Sequence, residues 1–92
     1  MTHRLQTRYG DVEVELIFDD TVHAELRVKN IVRDLIDSDS NPTRLILTTT
    51  LQTAYEWHEF IEGIIEFDED KIDAKIFGNK QEIASMTVVR SD

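Results

Sequence analysis

Residues 53–70 read Thr53-Ala54-Tyr55-Glu56-Trp57-His58-Glu59-Phe60-Ile61-Glu62-Gly63-Ile64-Ile65-Glu66-Phe67-Asp68-Glu69-Asp70. The fold class turns on whether this stretch is helix or strand. Thr53 with Glu56 three positions on has the form of a capping box, in which each side chain satisfies a free backbone N–H at a helix start. Ala54, Trp57, Ile61, Ile64 and Ile65 then recur at helical spacing. The pattern predicts a helix opening at Thr53 and ended by Asp68 to Asp70.

Upstream, Leu5, Thr7 and Tyr9 alternate with polar residues and lead into Gly10-Asp11, a two-residue hairpin turn. Val12, Val14, Leu16 and Phe18 form a second alternating run, and Val22, Ala24, Leu26 and Val28 a third, with Asp19-Asp20-Thr21 as the turn between them. Val28, Ile31, Val32 and Leu35 suggest a short helix capped by Asn30 and ending near Asp37. Ser38 to Pro42 reads as a loop, and Arg44 to Thr49 as a strand. Lys71 to Phe77 and Glu82 to Arg90 read as two strands around Gly78-Asn79. No repeat, linker or low-complexity tract appears. The expected order is βββαβαββ, an antiparallel-rich α+β fold in one domain over residues 1–92.

Charge sets the function classes. The chain holds 19 Asp and Glu against 10 Lys and Arg, a net charge of −9. The acid comes in runs without bases: Asp11, Glu13, Glu15, Asp19 and Asp20, then Glu56, Glu59, Glu62, Glu66, Asp68, Glu69 and Asp70. Nucleic acid and anionic lipid both call for a positive surface, so neither is an expected partner; a basic protein is. A composition 40% hydrophobic argues for a folded domain rather than an acidic tail. Cys is absent, so disulfides, thiolate metal sites and thiol catalysis are excluded, and an intracellular, cytoplasmic protein fits. No apolar run approaches the ~20 residues of a membrane-spanning helix.

On the predicted helix, Glu59, Glu62 and Glu66 fall within roughly 60° of one another, at axial steps of about 4.5 and 6 Å. Phosphates along one DNA strand recur about every 3.4 Å, so such a stripe approaches the density of a phosphate array. No base sits at the helical pairing distance, and Asp68, Glu69 and Asp70 add charge at the helix end that the macrodipole disfavours. If Phe18 pairs with Val22, Glu15 lies opposite Glu25, a second unfavourable like-charge arrangement, while Glu13 faces Arg27. Glu13, Glu15, Glu56, Glu59, Glu62, Glu66, Asp68, Glu69 and Asp70 are therefore the candidate partner-binding acids. The bland alternative is an ordinary solvated face.

Other motifs fall short. Asp37, Asp39 and Asn41 match the first ligands of a calcium loop, but Pro42 stands at its glycine and Thr48 at its closing Glu. His58-Glu59 opens a zincin signature whose second His is Glu62. With three glycines there is no phosphate loop, and no cofactor or catalytic residue is expected.

In length, acidity, lack of Cys and the stretch Tyr9-Gly10-Asp11-Val12-Glu13-Val14-Glu15-Leu16-Ile17-Phe18-Asp19-Asp20, the chain resembles the small Arn-like anti-restriction DNA mimics of T-even phages. The resemblance implies a non-enzymatic inhibitor that fills the DNA-binding surface of a restriction nuclease of the McrBC type, and a homodimer. A histone-like nucleoid protein is an alternative target by the same mechanism. The competing expectation is an assembly or interaction module that binds through an apolar face or through the strand edge at Ile83 to Val89.

Overall fold

The computed structural model describes residues 2–19, 23–37, 43–52 and 58–89. The chain runs back and forth as eight strands: β1 (Thr2–Tyr9), β2 (Val12–Asp19), β3 (His23–Val28), β4 (Ile31–Asp37), β5 (Arg44–Gln52), β6 (His58–Phe67), β7 (Lys71–Gly78) and β8 (Gln81–Val89). The first four make one antiparallel sheet in sequence order and the last four make a second. No helix occurs among the described residues. The α+β expectation is overturned: the fold is all-β.

Both expected helices are strands. For β6, the inward set is Ile61, Gly63 and Ile65, all buried, while Phe60, Glu62, Ile64 and Glu66 take the outer face. Three isoleucines favour a pleated strand, and Gly63 inside a helix would cost about 1 kcal/mol relative to alanine. The Thr53–Glu56 capping box lies outside the described residues. For β4, Asn30 is a turn residue rather than a cap. Lys29 and Asn30 both have positive φ (53° and 67°), the geometry that reverses a chain in two residues. Asn tolerates that conformation, so the same residue type serves two different signals.

The two sheets repeat one plan. Asn79 and Lys80 also both have positive φ (50° and 69°), and they join β7 to β8 as Lys29-Asn30 joins β3 to β4. Two residues before each turn the ladder slips by one, between Leu26 and Arg27 and between Ile76 and Phe77. The sequence shows no such repeat because the two halves share turn geometry and not residue types.

Each sheet has one apolar face, and the two faces meet. Val14, Leu16 and Phe18 of β2 and Leu26 of β3 pack with Leu47, Ile61, Ile65, Ile72 and Ile76 in one buried cluster. Leu16 sits over Gly63, where an added Cβ would stand 2.8 Å from its Cδ1. Along one seam β4 meets β5 through side chains. Asp34 accepts from the Thr48 N–H (2.9 Å), and Arg33 donates to the Thr50 carbonyl (3.3 Å). Gly63→Val is expected to overpack this contact and cost about 1–3 kcal/mol in chemical unfolding, with part of the loss recovered in G63V/L16A, which makes room for the new side chain.

Candidate functional site

The nominated acids do not form one surface. In β6, Glu59 lies on the opposite face from Glu62 and Glu66, because side chains alternate along a strand. Glu62 and Glu66 are about 13 Å apart at about 3.3 Å per residue, twice their spacing on a helix. The phosphate-like stripe is therefore absent. Glu56 lies outside the described residues.

Glu59 is held in a contact between the sheets. The Tyr9 hydroxyl donates to Glu59 Oε2 (2.6 Å), and the Asn79 amide donates to the same oxygen and to the Tyr9 hydroxyl (3.2 Å). Asn79 is fixed in turn by Phe60, whose N–H donates to its Oδ1 (2.9 Å) and whose carbonyl accepts from its N–H (2.8 Å). The Tyr9 ring lies against Gly78, where any Cβ would collide with it. This carboxylate ties β1 to β6 and to the β7–β8 turn, and it is half-buried.

The first strip is neutralised by its neighbours. Arg8 stands opposite Glu13 with its guanidinium 3.7 Å away, and Arg4 Nε is 3.2 Å from Glu15 Oε2. Glu15 is only 7% exposed. Arg4 meets it as an ion pair without the alignment of a hydrogen bond, and that oxygen has no hydrogen-bond donor. Phe18 pairs with Ala24 rather than Val22, so the register places Glu15 opposite Arg27 and not Glu25. Glu25 takes both Arg27 Nε (2.9 Å) and Nη2 (2.8 Å), with His23 3.5 Å away. The expected like-charge clash does not occur. An open depression of about 230 Å³ between β1 and β2 is lined by Gln6, Arg8, Glu13 and Glu15 and shares this balanced charge.

Acid is densest at one end of the molecule. β2 ends at Asp19, β4 at Asp37 and β6 at Phe67, and antiparallel order brings these three ends to one pole. There Asp37, Glu66, Asp68, Glu69 and Asp70 are exposed, with Asp19 and Asp73 half-buried beside them. Asp68, Glu69 and Asp70 make the β6–β7 turn, closed by the Asp68 N–H on the Lys71 carbonyl (2.9 Å), and not a helix end. Asp73 takes the Thr87 hydroxyl (2.7 Å) and Lys71 (3.8 Å), and Asp37 lies 3.9 Å from His23. Arg44 faces Glu66 across the ladder. The described turns at the opposite pole carry Gly10-Asp11, Lys29-Asn30 and Asn79-Lys80. Sequence reasoning found Glu66 and the Asp68 to Asp70 turn but missed Asp19, Asp37 and Asp73, which join them only through strand order.

Among the described residues no helix is long and apolar enough to cross a membrane, and no three His, Asp or Glu side chains converge as metal ligands would. No protein family, characterised protein or solved structure matches this chain.

The Tyr9 phenol is pushed above its ordinary value, first by its hydrogen bond to Glu59, then by burial and by the Glu59 charge. The folded protein thus holds this proton more tightly than the unfolded chain does. Its contribution is complete below about pH 10 and is lost as pH rises through the folded value. Tyr9→Phe is expected to cost about 1 kcal/mol at neutral pH and to flatten the decline of stability in denaturant titrations above pH 10.

Proposed function

We propose that this chain is a non-enzymatic DNA-mimic inhibitor that presents its acidic pole to the DNA-binding surface of a basic protein. The expected target class is a restriction nuclease of the McrBC type, with a histone-like nucleoid protein as the alternative. The observation that carries the reading is the gathering of Asp37, Glu66, Asp68, Glu69 and Asp70 on exposed positions at one end of the fold. On the first sheet, Glu15, Glu13 and Glu25 are matched by Arg4, Arg8 and Arg27. Such a field steers a molecule into a positive groove and orients it on arrival, end first.

This revises which carboxylates do the binding. Glu59 serves the fold, and Glu13 and Glu15 sit in ion pairs; the Asp68 to Asp70 turn is the centre. Its side chains are exposed and take no part in the buried cluster, so their charge can be changed with little effect on the core.

The test is inhibition of a McrBC-type nuclease by the parent and by D68K/E69K/D70K. The reversal is expected to weaken inhibition by about tenfold or more, mostly in the association rate, and to flatten its dependence on salt. Glu13→Lys is expected to change it by less than about twofold. Inhibition that survives the triple reversal removes the pole from the mechanism, and a parent that does not inhibit sinks the nuclease reading.

A further inference from the structure

Exposed apolar side chains are not scattered evenly over this molecule. Among the described residues six large ones are exposed, and five of them, Ile31, Val32, Leu35, Ile46 and Phe60, lie on the consecutive strands β4, β5 and β6. β4 and β5 run side by side, held where Asp34 accepts from the Thr48 N–H and Arg33 donates to the Thr50 carbonyl. These two bonds advance in opposite senses along the strands, so the pair is antiparallel. Leu35 follows Asp34, and Ile46 precedes Thr48 by two residues, which sets them at about one level on either side of the seam. Ile46 pairs in turn with Ile64 of β6, half-buried on the outer face. Val32, Leu35, Ile46 and Ile64 thus make an outward apolar strip that crosses from one sheet to the other. Single exposed apolar residues are ordinary, whereas a gathered strip marks a contact surface.

We propose that this strip is the apolar half of the surface whose charged half is the acidic pole, and that it seats on apolar side chains in the basic groove of the same DNA-binding partner. The inference rests on the DNA-mimic reading and adds a second contact to it. Continuity carries it. Two residues on from Leu35, on the same face of β4, stands Asp37, and two on from Ile64, on the same face of β6, stands Glu66. Both acids belong to the pole. A partner that closes over Asp37 and Glu66 from this side meets Leu35 and Ile64 next, about 7 Å further along each strand.

Charge selects the occupant. With Asp37 and Glu66 at its margin, the strip is repelled by an anionic lipid surface and attracted to a basic partner. DNA-binding grooves combine two chemistries: Lys and Arg for the phosphates, and apolar side chains for groups such as the thymine methyl. A mimic that offers carboxylates alone meets only the first. Leu35, Ile46 and Ile64 meet the second. Within the strip Arg33 is turned to the Thr50 carbonyl and Glu62 is half-buried, so the centre is poor in free charge, as interface centres are. The two halves act at different ranges. The charged pole steers approach, and short-range apolar packing holds the complex once formed.

Binding and inhibition kinetics of the full chain with a McrBC-type nuclease test it. L35T/I46T puts β-branched residues that suit strands at both positions and removes most of their apolar surface. It is expected to speed dissociation by about tenfold, with the association rate within about twofold of the parent and the salt dependence unchanged. D68K/E69K/D70K is expected to show the reverse pattern, slower association and a flatter salt dependence. Circular dichroism verifies folding, and V32T/I46T takes the place of the first pair should that pair unfold the domain. A folded strip variant that dissociates as the parent does overturns the strip and leaves the pole standing, whereas a parent that does not inhibit overturns both. Sedimentation checks the other occupant: a parent that self-associates at tens of micromolar and is made monomeric by L35T/I46T assigns the strip to a second copy and overturns the proposal.

Discussion

Neither four-stranded meander can leave its apolar face in water, and the burial of each face by the other is the constraint from which the rest follows. The contact is close because two glycines allow it. Gly63 gives Leu16 room at the centre of β6, and Gly78 gives the Tyr9 ring room at the end of β7. Once Tyr9 lies on Gly78, its hydroxyl reaches only as far as β6, and Glu59 is the acceptor it meets. A carboxylate that charge counting assigns to a binding surface is thereby spent on joining the sheets. Hydrophobic packing fixes the position, and the polar contact fixes the angle of approach.

The same packing produces two seams of different character. Where β4 meets β5, side chains substitute for the missing ladder: Asp34 supplies an acceptor and Arg33 a donor to β5's backbone. Arg33 is also the residue that the slip in the β3–β4 ladder leaves without a partner across the sheet. In the second half the equivalent slip leaves Ile83, an apolar residue that makes no such bridge. One structural plan thus carries an arginine at the slipped position of one half and an isoleucine at that of the other.

Much of the fold is legible in the sequence. The alternation over residues 5–18 and 24–28, the Gly10-Asp11 turn and the strands of β5, β7 and β8 follow from period-2 patterning and turn chemistry. β4 and β6 are missed because their outer faces are also apolar. Val32 and Leu35 are 44% and 51% exposed, and Ile64 pairs with Ile46 across the outside of the sheet. Outward apolar residues blur the period-2 signal and happen to complete a helical one. The acids suffer from a different blindness. Whether Glu13 and Glu15 are free depends on Arg8 and Arg4, and so on a register that composition cannot supply. A pairing shifted by two residues between β2 and β3 turns an expected Glu15–Glu25 clash into a Glu15–Arg27 match.

The polarity of the charge follows from the topology. In an up-and-down chain, successive connections alternate between the two ends. The β1–β2, β3–β4 and β7–β8 connections are two-residue turns, which need residues that accept positive φ; Gly10, Asn30 and Asn79 supply it. That requirement is met by Gly and Asn, and of the three turns only the first, Gly10-Asp11, carries an acid. The β6–β7 connection, residues 68–70, is longer and none of its residues has positive φ, so acid there costs the fold little beyond mutual repulsion. That repulsion, spread over Asp37, Asp68, Glu69 and Asp70 in water, is weak at physiological salt because each charge is exposed and screened. A basic groove that closes over the pole removes the screening and reverses the sign of the interaction. An arrangement slightly unfavourable in the free protein thereby becomes favourable in a complex, which is why the pole and not the balanced sheet face is the surface to expect at an interface.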